Sequence, residues 1–147
     1  MNTTSEKCIE ACNALLRGEL AAEETYRQAH EKFAGHPPAD TLLNLLATHG
    51  AHTSIIREHV IAMGGEPSRD SGIWGVFAKT VEGTAKLLGK SATLQALIEG
   101  EKQGIRSYEA ALKGDDLEES IKTVYRSEVI PALHQNVAVL EELQNTV

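Results

Sequence analysis

A chain of 147 residues, of which 41% are hydrophobic and 24% charged, has the composition of one globular domain and not of a disordered or fibrous protein. Its net charge of −7, without any cluster of lysine or arginine, makes nucleic acids and anionic membranes unfavourable partners. The N-terminus lacks the apolar stretch of a signal peptide and no apolar run approaches the roughly 20 residues that span a bilayer, so we expect a cytoplasmic protein.

The first half of the chain predicts a helical hairpin over residues 3–64. Its first helix begins with a capping box at Thr3, and apolar residues then recur every three or four positions as far as Phe33. A second helix is predicted from about Pro38 to Met63, where a pair of glycines ends it. The short turn between the two helices makes them antiparallel neighbours.

The second half predicts another hairpin after a long connection. Residues 65–90 are rich in glycine and predict a crossover, whose apolar residues include Trp74 and Phe77. The second hairpin covers residues 91–146, and its two helices meet at a turn around Gly114. We expect the crossover to pack on the bundle or on a partner subunit rather than to act as a flexible linker between domains.

Two tight helical hairpins joined by one long crossover predict an all-α four-helix bundle with ferritin-like topology. We take residues 1–147 as a single domain of this kind. Cys8 and Cys12 lie one turn apart on the first helix, where a disulfide would constrain almost nothing, so we predict buried thiols.

Three pairs of polar residues recur at one fixed offset of 82 positions, which indicates that the two hairpins are copies of one ancestral unit. The pairs are Glu19 with Glu101, Tyr26 with Tyr108, and His52 with His134. Folding the first hairpin about its turn sets Glu19 beside His52, and it sets Glu23 opposite His49.

These side chains are predicted to converge on one point inside the bundle, because neighbouring helix axes lie only about 8–10 Å apart. Carboxylate and imidazole donors together suit iron, manganese or zinc, whereas magnesium and calcium prefer oxygen ligands alone. We expect Tyr26 and Tyr108 to orient the carboxylates by hydrogen bonds. The predicted metal ligands are Glu19, His49, His52, Glu101 and His134.

Two motifs of this chain resemble those of a known superfamily. GELAAEETY, residues 18–26, resembles the first-helix signature of bacterioferritins and rubrerythrins, in which a glutamate ligand precedes a tyrosine by seven residues. GEKQGIRSY, residues 100–108, resembles the corresponding third-helix segment. The segments AMGGEPSRDSG and YEAAL are similar to those of a bacterial family of ferritin-like four-helix-bundle proteins whose function is undetermined.

The resemblance implies ligand roles for Glu19, His52, Glu101 and His134, and a role in oxidative chemistry or stress. Di-iron members of the superfamily carry a bridging glutamate three residues before each histidine, but this chain has His49 and Pro131 there. Without the bridging carboxylates two cations would be poorly neutralised, so the sequence does not favour a dinuclear centre and leaves a single-ion site open.

An alternative interpretation needs no cofactor. Buried carboxylates can be satisfied by imidazole and phenol groups, whereas leaving one unpaired costs about 1–3 kcal/mol. The bundle would then be a non-enzymatic scaffold or interaction module with a vestigial, metal-free polar core. Its helix faces or its crossover, with Trp74 and Phe77 exposed, would dock to a second copy, giving a homodimer, or to another protein. Motifs of other enzyme classes are absent from the sequence.

Overall fold

The computed structural model of the protein describes residues 3–72 and 89–147. In this part of the chain we find four helical rods and no strand, which confirms the predicted all-α four-helix bundle. The fourth rod consists of two α-helices separated by a π-helix. The elements are α1 (Thr3–Lys32), α2 (Pro38–Ala62), α3 (Lys90–Lys113), α4 (Glu119–Val124), the π-helix (Tyr125–Val129) and α5 (Ile130–Thr146).

The turn between α1 and α2 contains the residues that a sharp reversal requires. Gly35 has a φ of +80°, a left-handed conformation that costs an L-residue with a side chain about 1–2 kcal/mol. Pro37 occupies the N-cap position of α2 and Pro38 its first turn, where a missing backbone N–H leaves no helical hydrogen bond unmade. The predicted hairpin therefore forms within about one residue of its expected boundaries.

Packing follows the two hairpins. α1 packs closely along α2 and α3 along α5, while the contact between α1 and α3 is much sparser. The apolar core has two parts, one around Leu16, Ile56 and Leu133 and the other around Phe33 and Leu94. Between them, each rod carries buried polar residues: Glu19, His49, His52, Glu101 and Asn136. The bundle thus holds a polar layer between two apolar ones.

The π-helix changes which residues of the fourth rod face the core. Its buried positions run at intervals of four residues through Ile121, Tyr125, Val129 and Leu133. In a regular α-helix such a seam would rotate by about 40° at every step, because 3.6 residues make one turn. The wider π turn absorbs this rotation and keeps all four side chains inside. It also ends two residues before Pro131, whose nitrogen cannot donate the hydrogen bond of an α-helix.

The start of the crossover is bound to α1. Asn13 accepts a hydrogen bond from the backbone of Ser68 and donates one to the carbonyl of Glu66, and Arg17 donates to the Ser68 hydroxyl. Trp74 and Phe77, the predicted docking residues, lie outside the described part of the chain. The homodimer therefore stays a prediction, and so does the single domain over residues 1–147. Among the described helices, none has the length and apolar character needed to cross a membrane.

Candidate metal centre

Glu19 on α1 meets two histidines of α2 in the polar layer. Its Oε1 lies 3.0 Å from Nδ1 of His49, and its Oε2 lies 3.3 Å from Nδ1 of His52. All three residues are at most 4% exposed. His49 and His52 share one face of α2 because they are three positions apart, and their rings meet edge to face. One ligand atom from each residue can be chosen so that all three lie within 4.8 Å of one another.

Glu101 on α3 completes the cluster from the second hairpin. Its Oε1 accepts three hydrogen bonds: from Tyr26 at 2.8 Å, from Nε2 of His49 at 2.6 Å and from the amide of Asn136 at 3.1 Å. His49 therefore lies between two carboxyl groups, with one ring nitrogen directed at each. Since an imidazole ring can donate from both nitrogens only when protonated, this arrangement describes an imidazolium bridging Glu19 and Glu101.

The charges of the cluster stabilise one another. Burial raises the pKa of Glu19, but the neighbouring positive charge and hydrogen bond of His49 outweigh it and lower that pKa to about 2. Burial likewise lowers the pKa of His49, and the charges of Glu19 and Glu101 outweigh this and raise it well above 6.5. Burial, followed by the charge of Glu101, raises the pKa of Tyr26 well above 10, so Tyr26 is a neutral donor.

Three polar atoms of the layer are buried without a hydrogen-bond partner among the described residues. They are Nδ1 of His52, Oε2 of Glu101 and the hydroxyl of Tyr108. His52 is close enough to Glu19 for an ion pair, but the contact does not have the geometry of a hydrogen bond. Because an unsatisfied buried polar group costs about 1–3 kcal/mol, Oε2 of Glu101 and the hydroxyl of Tyr108 favour a further polar partner in this layer.

A cavity of about 70 Å³ adjoins this layer between α1 and α3. Small residues, among them Gly18, Ala22 and Gly104, line part of its wall. A cavity needs about 10–15 Å³ to hold one water molecule, so this one has room for several. The polar residues on its surface include Glu19, His49, Glu101 and Tyr108. The cavity therefore gives small molecules room beside the candidate ligands.

Four of the five predicted ligands meet in the structure. Glu19, His49, His52 and Glu101 lie together, but His134 does not, because it is exposed on α5. The offset of 82 positions, which placed His134 opposite His52, does not hold for the buried face of the fourth rod. There the corresponding offset is 84: Leu45, His49, His52 and Ile56 match Val129, Leu133, Asn136 and Leu140.

Asn136, the residue that sequence reasoning missed, occupies the buried position matching His52. The run of apolar residues at intervals of four, from Ile121 to Leu133, was the signal that could have found it, because a π turn keeps such a run on one face of the rod. Glu23 also differs from expectation. Its Oε2 accepts a hydrogen bond from Thr53 at 2.7 Å, and no bond joins it to His49.

Fold and site together define a four-helix-bundle protein with a buried carboxylate–imidazole cluster between its two hairpins. A family model, described as a domain of unknown function (DUF2383), matches residues 7–114, which is more than half of the chain. The chain belongs to this family. Comparison with curated proteins found no match, and comparison with solved structures found none.

Proposed function

We propose that this protein binds one divalent transition-metal ion at the centre of the bundle, through Glu19, His49 and His52. One observation carries the proposal: a donor atom of each residue lies within 4.8 Å of the other two, in a layer that is almost completely buried. Two imidazoles and one carboxylate form a donor set typical of zinc and of non-haem iron. The resemblance to bacterioferritins and rubrerythrins points to the same layer of the bundle.

The charge of the cluster supports a cation. If Glu19 and Glu101 are ionised and His52 is neutral, the His49 imidazolium compensates only one of two negative charges. An uncompensated buried charge is strongly unfavourable. A divalent ion that replaces the bridging proton would leave the two carboxylates fully neutralised. Binding therefore requires His49 in its neutral form, as for any imidazole ligand.

The remaining groups of the layer suit a coordination shell that is open on one side. Three protein ligands leave a position for water or another small molecule. The cavity between α1 and α3 offers space for it beside Glu19 and His49. Glu101 Oε2, which has no partner among the described residues, is an acceptor for such a molecule or an additional ligand. An exchangeable position of this kind is what the oxidative role implied by the resemblance would need.

The metal-free scaffold remains the second candidate, and a specific contact favours it. His49 donates to both carboxyl groups, at 3.0 Å to Glu19 and 2.6 Å to Glu101, so that the cluster already contains a cation. In this case the layer specifies how the two hairpins pack and no ion enters. Oε2 of Glu101 and the hydroxyl of Tyr108, which have no partner among the described residues, argue against it.

Metal titration separates the two candidates. The protein is stripped with chelator and titrated with Zn(II), Mn(II) and, without oxygen, Fe(II), while a chromogenic chelator competes for the ion. We expect one ion per chain. Glu19→Gln, which preserves the shape of the side chain, should weaken binding by more than the roughly 10- to 100-fold typical of groups that only orient a ligand. Asn136→Ala should fall within that range.

His134→Gln is the matched control, because His134 is exposed on α5 and lies outside the cluster. It should bind metal like the wild type. The proposal is wrong if the wild type binds no ion, or if Glu19→Gln binds as many ions as the wild type with the same affinity. It is also wrong if added metal leaves the melting temperature of the wild type unchanged. A binding defect in His134→Gln equal to that of Glu19→Gln would also contradict the proposed ligand set.

A further inference from the structure

A second polar cluster lies away from the metal layer, around the first residue of the π-helix. Tyr125 is completely buried, and its hydroxyl lies 3.2 Å from Nδ1 of His59 and 3.4 Å from Sγ of Cys12. Its ring also contacts that of Tyr108 edge to face, with centroids 5.4 Å apart. Three elements therefore bring a phenol, an imidazole and a thiol together at a place where the helix departs from regular geometry.

We propose that Tyr125 is a redox-active tyrosine, which gives its electron to a one-electron oxidant of the metal-complex class and its phenol proton to His59. In this step the O–H bond of Tyr125 breaks and an N–H bond forms on Nδ1 of His59. The oxidant is reduced by one electron, and Tyr125 becomes a neutral tyrosyl radical. Cys12 then reduces the radical: its S–H bond breaks, the phenol O–H bond forms again, and a thiyl radical remains.

His59 has the properties that a proton acceptor for Tyr125 needs. It is half-buried and lines an open depression at the surface, so a proton taken from Tyr125 can leave to solvent. Burial lowers the pKa of His59 despite the opposing charges of Glu58 and Glu128, which keeps the imidazole neutral near pH 7. The phenol is then the donor in their hydrogen bond, and Nδ1 of His59 is the acceptor.

The two other tyrosines lack such an acceptor. The hydroxyl of Tyr108 has no partner among the described residues. Tyr26 donates to Oε1 of Glu101, which already accepts two further hydrogen bonds, and a carboxylate is a weaker base than an imidazole. Tyr125 is therefore the tyrosine from which an electron and a proton can leave together. The cluster around Tyr125 contains neither Glu19 nor the two histidines of the metal layer.

The test uses the full chain stripped of metal, so that its outcome is independent of the proposed metal site. The protein is mixed with hexachloroiridate(IV), and the products are frozen at intervals for electron paramagnetic resonance. We expect a tyrosyl radical signal in the wild type and in the Tyr26→Phe and Tyr108→Phe variants, and its loss in Tyr125→Phe. A signal that persists unchanged in Tyr125→Phe overturns the proposal.

His59→Phe removes the proton acceptor and keeps an aromatic ring in its place. It should slow radical formation by about 100-fold, at the lower end of the range of general-base assistance. His134→Phe, at an exposed site, should react like the wild type. Oxidation of His59→Phe at the wild-type rate would overturn the proposed transfer of the phenol proton to His59, and this outcome can be read even if Tyr125→Phe fails to fold.

The role of Cys12 has its own matched pair. Cys12→Ser keeps a hydrogen-bonding group beside Tyr125 but replaces the S–H bond with a stronger O–H bond, so the radical should persist longer than in the wild type. Cys8→Ser changes the neighbouring buried thiol, for which no bond to Tyr125 is found, and should leave the lifetime unchanged. Equal lifetimes in Cys12→Ser and the wild type would exclude Cys12 as the hydrogen-atom donor.

Discussion

Replacing His49 with leucine should reveal how much the bridging imidazolium contributes to stability. The variant leaves Glu19 and Glu101 buried and without the cation that lies 3.0 Å and 2.6 Å from them. We expect one of the carboxyl groups to take up a proton rather than remain charged. At pH 6.5 this costs about 3 kcal/mol, given an ordinary glutamate pKa of about 4.3 and about 1.36 kcal/mol per pH unit. Such a loss lowers the melting temperature by roughly 6–12 °C in a domain of this size.

The pH dependence of this loss follows from the direction of each pKa shift. The pKa of Glu19 is lowered to about 2, so its contribution to wild-type stability is present above about 4.3 and disappears as the pH falls through about 2. The pKa of His49 is raised, so its contribution is complete below about 6.5 and disappears as the pH rises through the folded value. In the leucine variant the folded state binds an extra proton, so its stability increases as the pH falls from 6.5.

The difference between the wild type and His49→Leu should therefore be largest near pH 6.5 and shrink by about 1.4 kcal/mol per pH unit towards pH 4.3. Urea unfolding of chelator-treated protein at several pH values measures it, with His134→Leu as the exposed control. A difference that stays constant over this range, or a loss below about 1 kcal/mol at pH 6.5, would refute the bridging role, since breaking a buried ion pair typically costs about 3–5 kcal/mol.

Two further predictions concern stability. Tyr26→Phe removes a hydrogen bond to Glu101 and should cost about 1.5–3 kcal/mol of unfolding free energy. Tyr108→Phe removes a buried hydroxyl without a partner among the described residues, so it should be neutral or stabilising. Equal losses of stability in urea unfolding would contradict this contrast. Gly65→Ala places a methyl group 2.7 Å from Cγ2 of Ile9 and should cost about 1–3 kcal/mol. Relief of that cost in the double variant with Ile9→Ala would confirm the clash.

The extent of the helices could be predicted from local signals. The recurrence of apolar residues and the glycines and prolines at the turns depend on the chain alone, so the hairpin of α1 and α2 was predicted nearly residue by residue. The same local reasoning placed Glu19 beside His52, because the register of an antiparallel hairpin follows from its turn.

The fourth rod could not be predicted in this way. A repeat offset is transferable only while both copies keep the same helical geometry, and the π-helix breaks that condition at Tyr125–Val129. His134 therefore lies outside, and Asn136 donates to Glu101 in the interior. Oε1 of Glu101 accepts three hydrogen bonds, whereas its Oε2 accepts none from the described residues. This arrangement depends on contacts among four rods, which the spacing of residues within one rod does not encode.

The π-helix also makes the two hairpins contribute differently to the polar layer. Glu19, His49 and His52 all belong to the first hairpin, while the second contributes Glu101 and Asn136, which are hydrogen-bonded to each other. The extra residue of the π-helix supplies one of the two positions by which the offset grows from 82 to 84, and the second hairpin thus presents the amide of Asn136 to the interior where the first presents the imidazole of His52.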